Sequence, residues 1–340
     1  MPSRSLPLVV LTDRSIRPEA ADRLRATCRL RILDDYPSQE VLVAACRDAA
    51  ANLARLAVVG APVIAAAPRL RIVARHGAGS DGVDLDAATA RGVVVTTTGP
   101  ANAGAVAEYT IALLLGLFRR IPAADAGMRA GGWCRGPLVG GALEGRTLGI
   151  VGFGAVGAKV ARIAAGFGMT VLAAASRRAD PGPKPVPVLP LPDLLARADV
   201  VSLHARLTPE TAGMIDARAL AAMRSTAVLV NTARGELVDE PALVAALQSG
   251  RLAGAALDTF ATEPLPADAP LRRMPNVILS PHVAGQTEEA VLRVGLTAAQ
   301  AILDELAGRR PAFVVNPEAY ARRTTTTTGA GTFASTWRGR

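Results

Sequence analysis

The chain has 340 residues, of which 50% are hydrophobic and 20% are charged, and its formal net charge is +9. A chain of this length and apolar content can bury substantial cores, which excludes an intrinsically disordered protein and predicts a globular protein of two domains. Four of its arginines lie beyond the last acidic residue, Glu318, and the other basic residues form neither a block nor a pattern interleaved with aromatic residues. A nucleic-acid-binding surface is therefore not predicted.

The cysteines and the apolar segments indicate the cellular location of the protein. Cys28, Cys46 and Cys134 are odd in number and widely spaced, so they predict neither a disulfide framework nor a zinc site. The apolar run 8–11 is followed at once by polar residues, unlike a signal peptide, and the longest apolar stretch, 111–118, is too short to cross a bilayer. We expect a cytoplasmic protein with neither a membrane nor a nucleic-acid partner.

Short β-branched runs alternate with helical patterns along the chain. The predicted strands span residues 8–11, 72–74, 93–96, 148–151, 170–172, 200–203, 227–230, 255–257 and 277–279. The clearest helical patterns cover 103–119, 158–167 and 286–307. Strands separated by helices indicate βαβ units and parallel sheets, and there are enough strands for two such sheets.

The last part of the chain changes character. From Ala321 onward it becomes a low-complexity stretch of arginine, threonine and glycine with little to bury. Such a composition predicts a disordered tail over residues 321–340.

A glycine-rich segment lies between the predicted strand 148–151 and the predicted helix 158–167. Its G-x-G-x-x-G spacing in this context is typical of a dinucleotide-binding turn, in which Gly152 permits the turn, Gly154 lets the backbone approach the pyrophosphate and Gly157 allows close packing. The helix amino terminus adds N–H groups and a positive dipole end. The predicted cofactor-binding residues of this turn are Gly152, Gly154, Ala155, Val156 and Gly157.

The end of the next strand distinguishes NAD from NADP. Counting in register places the ribose-reading position on Ala175, where an NAD-binding protein has Asp or Glu, and Ser176, Arg177 and Arg178 follow it. No carboxylate is present to repel a 2′-phosphate, and two guanidinium groups can bind one. NADP(H) is therefore favoured over NAD(H), with solvent-facing arginines as the alternative interpretation.

Arg234, Glu263 and His282 offer a guanidinium, a carboxylate and an imidazole in an order suited to reducing a 2-oxo acid. Imidazole titrates near neutral pH, which makes His282 the candidate proton donor. A carboxylate at Glu263 would bond the other ring nitrogen and favour the protonated ring, while the Arg234 fork matches a substrate carboxylate and carbonyl oxygen. No metal is expected, because His76 and His204 have no neighbouring ligand at metal-binding spacing.

The chain resembles the D-isomer-specific 2-hydroxyacid dehydrogenase family, which includes glyoxylate/hydroxypyruvate reductases and 3-phosphoglycerate dehydrogenases. The resemblance extends from about residue 8 to about residue 317. The motifs that carry it are Gly152-Phe153-Gly154-Ala155-Val156-Gly157, Asn231-Thr232-Ala233-Arg234-Gly235-Glu236-Leu237-Val238-Asp239, Glu263-Pro264 and Pro281-His282-Val283-Ala284.

The resemblance implies an α/β fold of two Rossmann-like or flavodoxin-like domains with parallel sheets and an active-site cleft between them. Residues 1–99 and 284–320 would form a discontinuous substrate-binding domain, and residues 100–283 the dinucleotide-binding Rossmann domain. Helices around 103–130 would form the contact of a homodimer. The expected tail leaves no room for the regulatory domain of long phosphoglycerate dehydrogenases.

The family also implies roles for individual residues. The loop Gly77-Ala78-Gly79 would receive the substrate carboxylate on its backbone amides, together with Arg234, and Asp258 would accept a hydrogen bond from the nicotinamide carboxamide. Two departures concern the cofactor: Ala155 stands where the family often has arginine, and Arg206 stands where it has proline. The remaining cofactor residues are expected to be Ser176, Arg177, Arg178, Arg206, Thr232, Ala233 and Asp258, with the three arginines around the 2′-phosphate.

The substrate is less constrained. Members that take a phosphorylated acid have a basic residue in the region corresponding to 56–62, which contains none here, although Arg75 or Arg135 is an alternative cation. Trp133 resembles the start of a loop that shapes the pocket of hydroxypyruvate reductases, but Gly136 replaces a second tryptophan. We expect NAD(P)H-dependent interconversion of a small 2-oxo acid, of the glyoxylate or hydroxypyruvate type, and its D-2-hydroxy acid. The alternatives are a phosphoglycerate dehydrogenase or other specialised dehydrogenase and, from another class, a cofactor-sensing binding protein.

Overall fold

The computed structural model describes residues 6–34, 37–174 and 186–326, and the chain divides into two compact units. The first unit contains the residues up to Asn102 and those from Glu288 onward, and the second contains Ala103–Thr287. The sequence placed these divisions at 99/100 and 283/284. Each observed division lies a few residues later because it falls at the start of a helix that packs within one unit.

The first unit contains a five-stranded parallel sheet. Its elements are β1 (Leu8–Leu11), α1 (Pro18–Arg25), β2 (Arg29–Ile32), α2 (Gln39–Cys46), β3 (Ala51–Ala54), α3 (Ala61–Ala66), β4 (Ile72–Arg75), α4 (Leu85–Ala90) and β5 (Val94–Thr96), and, after the second unit, α11 (Glu288–Leu306) and α12 (Ala319–Thr326). The strand order is β2-β1-β3-β4-β5, which is the flavodoxin-like order.

Helices cover both faces of this sheet. Val9 of β1 belongs to a cluster that includes α1 and α11, and Val10 belongs to a cluster that includes α2, α3 and α4. Successive side chains of a strand point to opposite faces, so a strand covered on both sides must be apolar throughout. This requirement explains the uninterrupted run Leu8–Leu11, which is buried at every position.

The second unit contains a seven-stranded parallel sheet. Its elements are α5 (Ala103–Phe118), α6 (Ile121–Arg129), β6 (Thr147–Val151), α7 (Ala155–Gly166), β7 (Thr170–Ala174), β8 (Val188–Leu189), α8 (Leu191–Arg197), β9 (Val200–Leu203), α9 (Ala217–Ala222), β10 (Val228–Asn231), α10 (Glu240–Gln248), β11 (Gly254–Leu257) and β12 (Val277–Leu279). The order β12-β11-β10-β9-β6-β7-β8 contains the doubly wound order, with its reversal beside β6. Helices α5 and α7 pack on one face and α8, α9 and α10 on the other.

The predicted fold class, two α/β units with parallel sheets, is confirmed. Three strands, however, were not predicted. The strand β2 is an exposed edge strand with the alternating sequence Arg-Leu-Arg-Ile, β3 has the sequence Ala-Asn-Leu-Ala with the buried Asn52, and β8 has only two residues. None of them has the β-branched run that marks a buried strand in sequence, so their pairing depends on neighbouring strands.

The tail prediction was wrong where it can be compared with the structure. Residues 321–326, predicted to be disordered, belong to α12, while residues 327–340 lie outside the described residues. Arg323 attaches the helix by donating to the carbonyl oxygens of Gly92 and Arg71, each at 2.6 Å, and Ala319 is fully buried. Among the described residues, no helix combines the length and apolar character needed to cross a membrane.

Candidate functional site

The glycine-rich segment forms the turn between β6 and α7. Gly152 has a φ of +94°, and a β-carbon there would overlap the backbone nitrogen of Ala205. At Gly154 an added β-carbon would meet no atom within 4 Å. At Gly157 it would lie 2.5 Å from the carbonyl oxygen of Gly152 and 3.0 Å from Cγ2 of Ile150. The three glycines thus provide a tight turn, an open approach to the backbone and close helix packing, a cradle that fits a dinucleotide pyrophosphate.

Helix α7 begins at Ala155, three residues earlier than predicted. Gly157 packs against the turn from within the helix and does not precede it. Ala155, Val156 and Gly157 therefore occupy the first turn, where N–H groups have no intrahelical acceptor. Gly154 and Ala155 are exposed, and Val156 is partly buried. These amides and the positive end of the helix dipole are available to phosphate oxygens without a cationic side chain at residue 155.

The residues expected at the adenosine end of a cofactor are only partly described. Ala175, Ser176, Arg177 and Arg178 lie outside the described residues, directly after β7. Arg206 is exposed on the loop after β9 and its carbonyl oxygen accepts a hydrogen bond from Thr211 Oγ1 at 2.7 Å. Strands β7 and β9 flank β6 in the parallel sheet, so both strands end at the edge that carries the glycine-rich turn.

The loop after β10 holds Arg234. The buried side chain of Asn231 accepts from the backbone N–H of Ala233 at 3.0 Å and donates to the carbonyl of Arg234 at 2.8 Å, which fixes the loop. Thr232 Oγ1 lies 2.9 Å from Thr110 Oγ1 on α5. Sequence reasoning assigned no role to Asn231 or Thr110, although Asn231 opens the motif that contains Arg234.

Gly235 joins this loop to the next one. It packs directly against the peptide between Phe260 and Ala261, where a β-carbon would overlap the carbonyl group of Phe260. The backbone N–H of Phe260 in turn donates to Glu263 Oε1 at 3.1 Å. Arg234 and Glu263 are therefore positioned by loops that contact each other through a glycine.

His282 and Glu263 form the hydrogen bond predicted from sequence. His282 Nδ1 lies 2.8 Å from Glu263 Oε2, and the two side chains are 48% and 38% exposed, so the pair faces solvent on one side. The geometry leaves Nε2 of His282 as the ring nitrogen that can transfer a proton. Burial raises the pKa of Glu263, but the hydrogen bond and charge of His282, the Phe260 N–H and the charge of Arg234 outweigh it, and the pKa is lowered overall.

Asp258 has a structural role that was not predicted from the sequence. Its fully buried carboxylate accepts from Ser280 Oγ at 2.6 Å and from the backbone N–H groups of Val283 at 2.9 Å and Ala284 at 2.9 Å. Its carbonyl also accepts from the N–H of His282 at 2.8 Å. Because His282 has a φ of +54°, these four bonds hold a backbone conformation that is unfavourable for a residue with a side chain.

The catalytic candidates share one edge of the second unit. The strands β10, β11 and β12 are adjacent and parallel, and Arg234, Glu263 and His282 follow their respective carboxyl ends. The glycine-rich turn follows the carboxyl end of β6 in the same sheet. This edge is where ligands bind in open parallel sheets.

In the first unit, the loop Gly77-Ala78-Gly79 follows β4, also at a carboxyl end. Gly77 has a φ of +154° and open space at its Cα, as a loop that receives a ligand on its backbone requires. Arg75, an alternative substrate cation in sequence, instead donates to the carbonyl oxygens of Ala57 at 3.2 Å and Gly79 at 3.4 Å. Arg75 therefore stabilises the backbone of this loop. Arg135, the other alternative, is exposed in the second unit.

The two remaining histidines are neutral. Burial, followed by the charge of Arg55, lowers the pKa of His76 to about 4, and burial lowers the pKa of His204 to about 3. His204 Nε2 lies 2.8 Å from Ser202 Oγ. No other described residue is a hydrogen-bond partner for the buried Nε2 of His76. The burial of the His204 ring and its contact with Ser202 indicate a structural role.

His204 makes folding sensitive to acid. Its pKa is about 3 when folded and 6.5 as a reference, so below pH 6.5 the unfolded chain binds a proton that the folded chain does not. The free energy of unfolding should therefore fall as the pH falls, by about 2 kcal/mol between pH 7 and pH 5 from this histidine alone. Urea unfolding at both pH values should show a smaller loss in His204→Gln, which keeps a group able to bond Ser202 but does not titrate. An equal loss in both proteins would contradict the assignment.

The two parallel sheets, the glycine-rich turn and the Arg–Glu–His group at one sheet edge define a protein of the dinucleotide-binding α/β class. Comparison with known proteins specifies the family. Residues 111–284 match the family model described as D-isomer specific 2-hydroxyacid dehydrogenase, NAD binding domain. The chain belongs to the D-isomer-specific 2-hydroxyacid dehydrogenase family.

Its relatives include proteins of two activities. A D-3-phosphoglycerate dehydrogenase of Mycobacterium bovis is 44% identical over 310 residues, covering 89% of this chain and 58% of that protein. A glyoxylate reductase of Korarchaeum cryptofilum is 42% identical, covering 83% and 87%. An NADPH-dependent glyoxylate/hydroxypyruvate reductase of Sinorhizobium meliloti, solved with NADP and malonate, is 30% identical with a TM-score of 0.80, covering 93% and 98%. The chain thus spans little more than half the length of the mycobacterial relative.

Proposed function

We propose that the protein is an NAD(P)H-dependent oxidoreductase that interconverts a small 2-oxo acid, of the glyoxylate or hydroxypyruvate type, and its D-2-hydroxy acid. The observation that carries the proposal is the His282–Glu263 hydrogen bond of 2.8 Å, held beside Arg234 at the carboxyl edge of a dinucleotide-type sheet. The second unit is the proposed dinucleotide-binding domain, and the first unit is the proposed substrate domain.

Each residue of the group has a chemical task in this proposal. The nicotinamide cofactor supplies the hydride when it is bound at the glycine-rich turn. Arg234 binds the substrate carboxylate and carbonyl oxygen and stabilises the negative charge that develops on that oxygen. His282 donates a proton from Nε2 to the same oxygen, while Glu263 holds Nδ1 and keeps the ring oriented. In the first unit, the backbone amides of Gly77, Ala78 and Gly79 are the proposed contacts for the substrate carboxylate.

The preferred cofactor in the proposal is NADP(H), with NAD(H) as the alternative. Its support is the absence of a carboxylate at Ala175, the arginines at 177, 178 and 206, and the NADP bound in the Sinorhizobium relative. The proposed phosphate contacts are the backbone amides of residues 154–157, and the proposed contacts at the nicotinamide end are Thr232, Ala233 and Asp258.

The arginine pair gives a test of cofactor choice. Replacing Arg177 and Arg178 together by alanine should raise the KM for NADPH about 10- to 100-fold, because two charge-assisted contacts to the 2′-phosphate are lost. The KM for NADH should stay within about threefold of the native value. Arg197→Ala, at the end of α8 and on the opposite edge of the sheet, is the matched control for the loss of a surface charge. An unchanged KM for NADPH in the double variant would overturn this assignment.

A phosphorylated substrate is the second candidate, favoured by Arg55. This side chain lies at the carboxyl end of β3, next to the strand that carries the Gly77–Gly79 loop, and is 15% exposed. It lies 3.4 Å from the buried carboxylate of Asp13. Arg55 directly precedes the region 56–62, which contains no basic residue. A cation at this position keeps phosphohydroxypyruvate among the substrates to test.

Initial rates decide between the two candidates. NADPH and NADH oxidation should be followed with hydroxypyruvate, glyoxylate, phosphohydroxypyruvate and pyruvate under the same conditions. We expect the highest kcat/KM with NADPH and one of the two small unphosphorylated acids. A preference of tenfold or more for phosphohydroxypyruvate, about 1.4 kcal/mol, would replace the first candidate with the second. No oxidation with any acid would refute both.

A homodimer is the proposed assembly. Helix α6 contains no buried residue, and Ile121 and Met128 are each 54% exposed. Trp133 and Val139 on the following segment are 80% and 77% exposed. Large apolar side chains exposed this close together are typical of a protein interface.

The dimer proposal predicts a change of mass in solution. Replacing Ile121 and Trp133 together by serine should shift the native mass from dimer to monomer in sedimentation velocity, because the apolar centre of the interface is lost. Val188→Ser, which removes an exposed apolar side chain of β8, should leave the mass unchanged. A native protein that is monomeric at micromolar concentration, or a double variant that remains dimeric, would contradict the proposed interface.

A further inference from the structure

A cationic cavity lies in the first unit, away from the proposed substrate loop. It is open to solvent, has a volume of about 400 Å³, and is lined chiefly by Arg71, Arg309, Arg310, Arg323, Glu305 and Tyr320. Arg71 immediately precedes β4, whereas the loop Gly77–Gly79 follows it. The four-residue strand places the cavity and the loop at opposite edges of the sheet, on the order of 13 Å apart along the chain.

Two of the arginines form a rigid wall. The buried carboxylate of Glu305 accepts from Arg71 Nη2 at 3.1 Å, Arg323 Nη1 at 2.5 Å and the Tyr320 hydroxyl at 3.1 Å. Arg71 also donates to the carbonyl oxygens of Leu306 at 3.3 Å and Glu305 at 2.6 Å, where α11 ends. Its charge therefore offsets the negative end of the helix dipole. The wall is part of the fold and is in place before any ligand binds.

The other two arginines, Arg309 and Arg310, each contact one side chain near the cavity. Arg309 pairs with Asp304 at 2.6 Å, and the Arg310 guanidinium lies over the Tyr320 ring, 5.5 Å from its centroid. Over residues 6–34, 37–174 and 186–326, no carboxylate forms an ion pair with Arg310. Burial, reinforced by the charge of Glu305, raises the pKa of Tyr320 to about 12, so its hydroxyl adds no negative charge. Among these described residues, the four arginines carry two more charges than the carboxylates of Glu305 and Asp304.

We propose that this cavity binds the phosphate group of a small molecule, as a site separate from the proposed catalytic group. A phosphate group carries close to two negative charges at neutral pH, which matches the excess, and the planar fork of Arg310 suits bidentate binding to its oxygens. The volume exceeds that of one phosphate ion and leaves room for the organic part of an ester. Arg310 and Arg309 supply the contacts, and Arg71 and Arg323 supply the positive field behind them.

Titration calorimetry of the 340-residue protein tests the site with two probes, inorganic phosphate and glycerol 3-phosphate, at constant ionic strength set with chloride. We expect Arg309→Ala/Arg310→Ala to weaken the binding of both probes at least about tenfold. Arg310→Lys should give an intermediate loss, because it keeps the charge but not the fork. Arg25→Ala, an exposed arginine of α1 paired with Asp22, is the matched control and should bind like the native protein. Circular dichroism of each variant checks folding.

The outcomes separate this site from the catalytic one. Tighter binding of the ester indicates a phosphorylated metabolite, and equal binding of both probes indicates recognition of the phosphate group alone, and each supports the site. Binding that is unchanged in the double variant but lost in Arg234→Ala would place the phosphate at the proposed substrate site and overturn the inference. An absence of measurable heat with either probe would overturn it as well.

Discussion

Replacing His282 by glutamine is expected to lower kcat by about 10²- to 10⁴-fold, the range associated with loss of a general acid. Glutamine has a similar size and can still bond Glu263, but it has no proton to transfer near neutral pH. The affinity for NADPH should remain within about threefold of the native value, because the glycine-rich turn is formed by β6 and α7. Steady-state rates with the preferred acid and a fluorescence titration of NADPH measure the two effects.

Glu263→Gln is the companion variant. The carboxylate of Glu263 is ionised well below neutral pH because its pKa is lowered, and it contacts the imidazole at 2.8 Å. Its replacement by an amide removes the negative charge beside the ring and weakens the hydrogen bond that orients it, so kcat should fall while the affinity for NADPH stays within about threefold of the native value. A kcat equal to that of the native protein would contradict this role of Glu263.

The His282 variant also separates enzyme from sensor. A cofactor-sensing protein would have no rate to lose, and its cofactor binding would not depend on this ring. If His282→Gln retained more than about a tenth of the native rate, another group would have to donate the proton.

The central strands were predicted from sequence because they are covered on both faces. The strands β1 and β9, which lie inside their sheets, have the predicted bounds, and each is a short apolar run, with one polar residue, Ser202, in β9. The edge strand β12 also has the predicted bounds, because its sequence Val-Ile-Leu is apolar throughout. The strand β2 could not be predicted in this way, since an edge strand does not require continuous apolar residues. Helix α12 was missed for a related reason. Its stability comes from Arg323 bonds to Gly92 and Arg71, which are far away in sequence.

The pairing of Glu263 with His282 was predicted because the residue types and their order match a known chemistry. The loop contacts that hold the pair were not predicted. Asn231 bonds two peptides of its own loop, and the buried Asp258 bonds three groups of the loop after β12. Such polar contacts arise where two strand ends meet, and no periodic pattern in the sequence reports them.

Gly235→Ala is expected to cause the largest combined loss of activity and stability. The β-carbon would overlap the carbonyl group of Phe260, and a backbone neighbour cannot rotate away as a side chain can. The two loops must separate, which should cost about 1–3 kcal/mol of stability. Because the Phe260 N–H holds Glu263 at 3.1 Å, the separation also moves Glu263 relative to Arg234.

A displacement of about 1 Å in a catalytic group can lower a rate about 100-fold, so kcat/KM of Gly235→Ala should fall by at least that factor. The rate is measured well below the melting temperature, so that unfolding does not contribute. Gly166→Ala is the matched control, because an added β-carbon at the end of α7 meets no atom within 4 Å and alanine is favoured over glycine in a helix. It should keep the native rate and melt at the same or a higher temperature. A Gly235→Ala protein that was destabilised but fully active would show that the two loops hold Arg234 and Glu263 independently. A loss of both properties would show that one glycine contact couples the stability of this sheet edge to its chemistry.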